Sequence, residues 1–266
     1  MQLIVEELEP GKRRVEVVER KGLGHPDTMC DALADGFERA LARFYYAHFD
    51  RVLHHNVDKA LLVGGASTPT FGGGTVDTPF EVILAGRATE CVGKEIVPIE
   101  EIAEQSVVQW LERHMHALDA RRHVALRCMT RGGSVELTRL FENARSEALA
   151  NDTSIGVGYW PPSTLEQQVI GIERDITRRA SNGQEPVLGE DVKVLGLQAD
   201  DRKSFTVACA IVDRYVAHPD DYREVVEELA RHISGMVDAP VVVNAGDDFA
   251  TERFFLTVTG TSAEAG

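Results

Sequence analysis

Residues 16–49 read EVVERKGLGHPDTMCDALADGFERALARFYYAHF. The first five are a strand pattern rich in β-branched residues. The loop KGLGHPDT follows, with two glycines, a lysine, an imidazole and a carboxylate within eight residues. Pro26 suits the first turn of a helix, and Asp27 complements the helix dipole there. Met29, Leu33, Phe37, Ala40, Leu41 and Phe44 then recur at helical spacing, which predicts an amphipathic helix over 26–49.

Outward from this helix, 59–66 (KALLVGGA) predicts a buried strand, and the Gly/Pro/Thr segment STPTFGGGTVDTP a loop. A strand at 80–85, a helix over 99–118 and a strand at 123–128 complete the first unit. The pattern then recurs. A loop with ANDTSIGVGYWPPS leads to a helix over 164–180, strands at 192–197 and 205–212, and a helix over 220–237. Asp27-Thr28 before the first helix matches Asp152-Thr153 before the second, and NVDKALLVG matches EDVKVLGL, which sets Lys59 opposite Lys193. Order, element length and these positions agree together, as in a duplication. Strands at 239–244 and 254–259 then resemble the start of a third unit before GTSAEAG. The expected units are 1–125, 126–238 and an incomplete 239–266, in an α+β class with mostly antiparallel sheets and helices on one face. A strand pair at the end would need a partner to cover it.

The whole-chain numbers exclude several classes. The 266 residues are 43% hydrophobic and 27% charged, a globular composition. The formal net charge of −15 argues against a nucleic-acid backbone binder. No apolar run reaches the length of about 18–20 residues that a membrane helix needs. The start MQLIVEELEP lacks a basic segment and carries acids, unlike a signal peptide. Cys30, Cys91, Cys128 and Cys209 lie far apart, which fits free thiols in a cytoplasmic protein.

Each motif has two readings on its own residues. In KGLGHPDT, His25 can donate a proton or hydrogen bond to a phosphate oxygen and Asp27 can hold Mg²⁺, or the segment is only a helix start. Phe71, Gly72, Gly73 and Gly74 form a mobile gate or a plain connection. Gly132, Gly133 and Ser134 can cradle phosphates through backbone N–H groups, or make a tight turn. Asp152 can pair with an ammonium group, or cap a turn. Lys193 interrupts the apolar strand VKVLGL, so it faces an anion or solvent. His54 and His55 are adjacent and point to opposite strand faces, which favours structural roles over a shared metal. There is no GxSxG and no HExxH.

Together, VERKGLGHPDTMCDALADG, LHHNVDKALLVGGASTPTFGGG, VILAGRAT, ANDTSIGVGYWPPST, GEDVKVLGL and FFLTVTGTSAEAG resemble the archaeal-type S-adenosylmethionine synthetase family, in its order and over nearly the whole chain. The resemblance implies three α+β repeats about a pseudo-threefold axis and a homodimer with sites between subunits. The implied reaction joins L-methionine to ATP and releases triphosphate, which is hydrolysed to pyrophosphate and phosphate. It implies His25 and Lys193 on the triphosphate, Asp27 on Mg²⁺, Gly132, Gly133 and Ser134 at the nucleotide and Asp152 at methionine. The FGGG loop lies near the site, and K⁺ is a further expected cofactor.

Thr28 stands where the family pattern has Ser, and Glu136 where it has Asp. The family's later Gly/Asp-rich loop, GRGN stretch and Gly-Lys loop, with their phosphate cations and a second metal carboxylate, have no counterpart among these residues. A longer parent chain, a second polypeptide supplying the third repeat, and a non-catalytic relative that keeps dimerisation and partial ATP or methionine binding all stay open.

Overall fold

The computed structural model describes residues 14–133 and 156–265. Its first helix, α1 (Pro26–Phe49), occupies the predicted span. Its buried stripe is Met29, Leu33, Phe37, Leu41 and Tyr45, and Asp50 ends it in the left-handed conformation. α2 (Ile99–His114) stops four residues short of the sequence expectation, because Met115 is extended. α3 (Thr164–Ser181) starts at a capping box formed by Ser163 and Glu166, and α4 (Pro219–Val237) at Pro219.

These helices back two sheets. The strands are β1 (Val15–Lys21), β2 (His55–Val63), β3 (Ala66–Thr68), β4 (Thr75–Thr78), β5 (Phe80–Ala88), β6 (Cys91–Val92), β7 (Glu95–Ile96), β8 (Val124–Arg131), β9 (Leu188–Ala199), β10 (Arg202–Val212), β11 (Val241–Val243) and β12 (Leu256–Thr257). One sheet runs β2-β5-β8; the other runs β1-β9-β10-β11, with β12 also on β10. Two small hairpins, β3-β4 and β6-β7, project from the first half.

The order helix, hairpin, helix, parallel strand occurs twice. In the first instance α1 precedes the antiparallel pair β2-β5, and α2 leads to β8, parallel to β5. In the second, α3 precedes the antiparallel pair β9-β10, and α4 leads to β11, parallel to β10. Lys59 pairs with Ala85, and Lys193 pairs with Ala208. The parallel strands sit at one edge of each sheet, so both sheets are mixed; in the first, the parallel β5–β8 ladder (Phe80↔Val124 to Arg87↔Arg131) is as long as the antiparallel one, which departs from the mostly antiparallel sheet expected from the sequence.

Sheet membership departs from chain order in two places. β1 belongs to the second sheet, paired with β9 from Val15↔Ala199 to Lys21↔Lys193. β11 and β12, expected to open a third unit, lie along β10, opposite Phe205–Val207 and Ile211–Val212. β10 is long enough to offer both sites on the edge that β9 leaves free. The boundaries at 125/126 and 238/239 therefore do not follow the sheets.

Each sheet has its own core. In the first, the α1 stripe packs on Phe80, Val82 and Leu84 and on Ala103, Val107 and Leu111 of α2. In the second, Leu165, Val169, Ile172 and Ile176 of α3 pack on Val192, Val194, Phe205 and Val207, with Tyr222, Leu229 and Ile233 of α4. Ala263, from the far end of the chain, is buried in the first core. The faces turned away from the helices stay open. Leu61, Val63 and Met129 are exposed on one sheet, and Val15, Val17, Leu195, Leu197 and Val242 on the other.

Candidate functional site

The loop between β1 and α1 lies flat on β9. Gly22 donates its N–H to Val192 O at 2.7 Å, and Gly24 to Glu190 O at 2.9 Å. A Cβ on Gly24 would sit 2.5 Å from the Glu190 carbonyl carbon and 2.6 Å from Asp191 N, so only glycine allows this approach. The strand and the loop therefore place Lys21, His25 and Asp27 beside Lys193.

His25 caps α1. Its Nδ1 accepts the Asp27 N–H at 3.2 Å. In the neutral ring that puts the proton on Nε2, leaving it as a donor for an acceptor outside the helix. The motif is thus a helix start, with His25 as its cap.

Lys21 and Lys193 are cross-strand partners on the open sheet face. Lys193 Nζ lies 2.9 Å from Glu19, and Lys21 Nζ lies 3.7 Å from Glu19 and is ion-paired to Asp27. The hydrogen bond from Lys193 holds the Glu19 carboxyl below the usual range. The Lys21 hydrogen bond does the same for Asp27, and that bond raises the Lys21 ammonium. Lys193 thus faces outward, toward this cluster of charges and solvent.

The segment 260–264 ties these pieces together. Thr261 Oγ donates to Gly24 O at 2.7 Å, and Asp191 N donates to Gly260 O at 3.1 Å. Ser262 donates to Asp191 from its N–H at 2.8 Å and its hydroxyl at 2.6 Å. Burial raises the Asp191 pKa against these bonds. Glu264, buried, accepts from Val258 N and Thr259 N at 2.7 Å each and from Ser67 Oγ at 3.0 Å. Glu190 is fully buried and bound by His116 Nδ1 at 2.7 Å.

The FGGG segment is anchored. Gly74 N and Thr70 N donate to one carboxylate oxygen of buried Asp213, at 2.6 and 3.3 Å, and Gly72 N reaches Val216 O at 2.8 Å. Phe71 packs edge-on against Phe254, with ring centroids 5.7 Å apart. Gly132 accepts from Arg87 at 2.9 Å through its carbonyl, and a Cβ there would meet the Glu90 carboxylate at 3.2 Å. This turn therefore belongs to the end of the first sheet, with described contacts on β5 and its flank instead of on the 22–27 loop. Gly133 adjoins it, while Ser134 and Asp152 lie outside the described residues. His55 bonds Glu38 and Leu53 O, consistent with a structural role.

Sequence reasoning named His25, Asp27 and Lys193, which the fold brings together. It did not assign Lys21, Glu19, Asp191, Thr261 or Ser262. Lys21 carried a signal, as the cation opening KGLGHPDT; the others depend on contacts between distant segments.

Two helix-backed mixed sheets, with charged loops where strands meet helices, define an α+β protein. The family model described as "S-adenosylmethionine synthetase (AdoMet synthetase)" matches residues 3–266. The chain belongs to that family. It is 44% identical over 262 residues to the S-adenosylmethionine synthase of Methanothrix thermoacetophila, covering 96% of this chain and 65% of the relative. The Pyrococcus furiosus S-adenosylmethionine synthase is 42% identical over 263 residues, again 96% of this chain and 65% of the relative. The chain thus spans about 65% of the length of these curated relatives. The structure of an unusual S-adenosylmethionine synthetase from Campylobacter jejuni has a similar fold, with a TM-score of 0.54 at 13% identity over 94% of this chain and 61% of that one.

Proposed function

We propose that this chain carries the triphosphate-binding part of a methionine adenosyltransferase. The observation that supports this most is the gathering of Lys21, His25 and Lys193 around Asp27 at the start of α1. The reaction is one displacement: methionine sulfur bonds to C5′ of ATP as the C5′–O bond breaks, giving a sulfonium and free triphosphate. Thioether sulfur carries no proton, so no general base is required. The protein's task is to hold the departing polyanion, and loss of one such donor typically costs about 10²–10³ in kcat.

In this reading His25 and Lys193 are the catalytic groups on the triphosphate, with Lys21 a further cation. Hydrolysis to pyrophosphate and phosphate follows at the same cations. Asp152 binds methionine, and Gly132, Gly133 and Ser134 meet the nucleotide. The segment 71–74 acts as a gate hinged at the Asp213 anchor.

Asp27 offers an exposed hard oxygen donor beside the cations, and no group of three or more His, Cys, Asp or Glu suited to a metal occurs among the described residues. One carboxylate fits Mg²⁺, which keeps several waters and takes phosphate oxygens. When bound there, Mg²⁺ would neutralise phosphate charge. K⁺ is a further cofactor in this reading, with no residue assigned to it.

The open apolar faces support a homodimer. Lys21, Glu19 and Lys193 share a face with Val15, Val17, Leu195 and Leu197, so burying that face would bring the site to the subunit boundary. The cytoplasm fits the free thiols. Three-unit organisation about a pseudo-threefold axis completes the reading, with the third unit supplied by chain continuation or by a second polypeptide.

The test is formation of S-adenosylmethionine from ATP and methionine, with Mg²⁺ and K⁺ present. The chain is assayed with and without a polypeptide carrying the unmatched third of the Methanothrix relative. Product at least 10⁴-fold faster in the mixture is expected, from two or more cations worth about 3 kcal/mol each. No product in the mixture refutes the proposal.

A further inference from the structure

The Gly24 loop hangs from a residue that is itself held by the other half of the fold. Glu190 accepts the Gly24 N–H through its carbonyl, while its side chain is fully buried. One carboxylate oxygen, Oε1, accepts the His116 N–H at 3.2 Å and lies 2.7 Å from His116 Nδ1. The other, Oε2, has no hydrogen-bond partner among the described residues. His116 is therefore the one side chain among the described residues that bonds this buried carboxylate. It belongs to the stretch between α2 and β8, where Met115 and Leu118 sit in the first core. Its Nε2 lies 2.9 Å from Pro186 O, just before β9. The neighbouring Ala117 O accepts from Arg214 at 2.8 Å, and Arg214 also donates to Val258 O at 3.1 Å. The stretch is thus pinned to the second half at Pro186, Glu190 and Arg214.

We infer that His116 is a positioning residue for the phosphate loop: it holds Glu190, Glu190 holds Gly24, and His25 follows directly. The inference rests on the phosphate site proposed above and adds to it a residue from the first half, acting through Glu190. Groups that meet a ligand keep their geometry through the hydrogen bonds behind them. A buried carboxylate that loses its donor moves toward another or takes up a proton. The loop has no slack to absorb such a movement. A Cβ on Gly24 would already lie 2.5 Å from the Glu190 carbonyl carbon, and Thr261 Oγ clamps Gly24 O at 2.7 Å.

The experiment combines backbone hydrogen exchange with tripolyphosphate titration in Mg²⁺, on the full chain and three variants. His116→Leu removes the side-chain donors, and His116→Asn keeps one at the Nδ1 position. Val107→Ala loosens α2 within the first core and serves as a control for stability alone. In His116→Leu, exchange at Gly22 and Gly24 should speed up at least tenfold and tripolyphosphate binding should weaken at least fivefold. His116→Asn should recover most of both losses, and Val107→Ala should show neither. Unchanged exchange at Gly22 and Gly24 in His116→Leu overturns the inference, as does an equal change in Val107→Ala or a loss that His116→Asn leaves unrecovered. Where His116→Leu does not fold, Glu190→Gln carries the test: its amide accepts more weakly from His116, exchange at Gly24 should speed up several-fold, and unchanged exchange overturns the inference. Faster exchange, rescued by Asn, in a chain whose parent binds no tripolyphosphate upholds the positioning and refutes the phosphate site; binding with unchanged exchange does the reverse.

Discussion

Lys21 and Lys193 stand directly opposite each other on adjacent antiparallel strands, with the Glu19 carboxylate 3.7 and 2.9 Å from their ammonium groups. Like charges in this position repel, so the pair persists through the carboxylates around it. A polyanion can take over that role. Glu19→Gln removes the competitor and should tighten tripolyphosphate binding about fivefold, the equivalent of a surface ion pair worth about 1 kcal/mol. Calorimetric titration measures this, and unchanged or weaker binding would count against the site.

Two glycine-to-alanine changes should act in opposite directions. At Gly24 the new methyl meets the Glu190 carbonyl carbon at 2.5 Å, so the loop must leave β9. Gly24→Ala should lower the melting temperature and abolish tripolyphosphate binding. Gly36, inside α1, has open space around it, so Gly36→Ala should stabilise by about 0.5–1 kcal/mol. Thermal melts of both variants check the contrast.

Asp213 holds the FGGG segment through Thr70 N and Gly74 N. Asp213→Ala leaves those donors unpaired at a buried site and should cost about 1–3 kcal/mol. Hydrogen exchange at residues 70–74 should speed up markedly. If only stability falls and exchange there stays slow, the segment is held by other contacts.

His116 provides a pH signature. Nδ1 faces Glu190 at 2.7 Å and Nε2 faces Pro186 O at 2.9 Å. Both partners are acceptors, which favours the doubly protonated ring, and the Glu190 bond raises its pKa. The unfolded value is near 6.5. The contribution is therefore complete below about pH 6.5 and is lost as pH rises through the folded value. The difference in melting temperature between the parent chain and His116→Gln should be largest in acid and shrink toward pH 9. A difference that grows with pH would refute the charged pair.

Local signals carried most of the elements. The stripe from Met29 to Phe44, with Pro26 in the first turn, marked α1, and Lys59 and Lys193, matched in the sequence, each lie opposite an alanine. Pairing between distant segments was not legible. Nothing in 15–21 says that its neighbour is 193–199, and nothing in 241–243 or 256–257 says that both lie on β10. The site divides in the same way. His25, Asp27 and Lys193 stood out as polar residues in loop or apolar settings. Asp191, Thr261 and Ser262 gain their roles only when the far end of the chain returns to the Gly24 loop. A short polar turn such as GTSAEAG shows no hydrophobic period that could reveal its address.

The central claim is that Lys193 and His25 together hold a triphosphate, and tripolyphosphate titration with Mg²⁺ tests it most directly. The parent chain should bind, Lys193→Ala and His25→Ala should each weaken binding at least tenfold, and all three proteins should keep the same far-UV circular dichroism. Equal affinity in the three proteins would contradict the account.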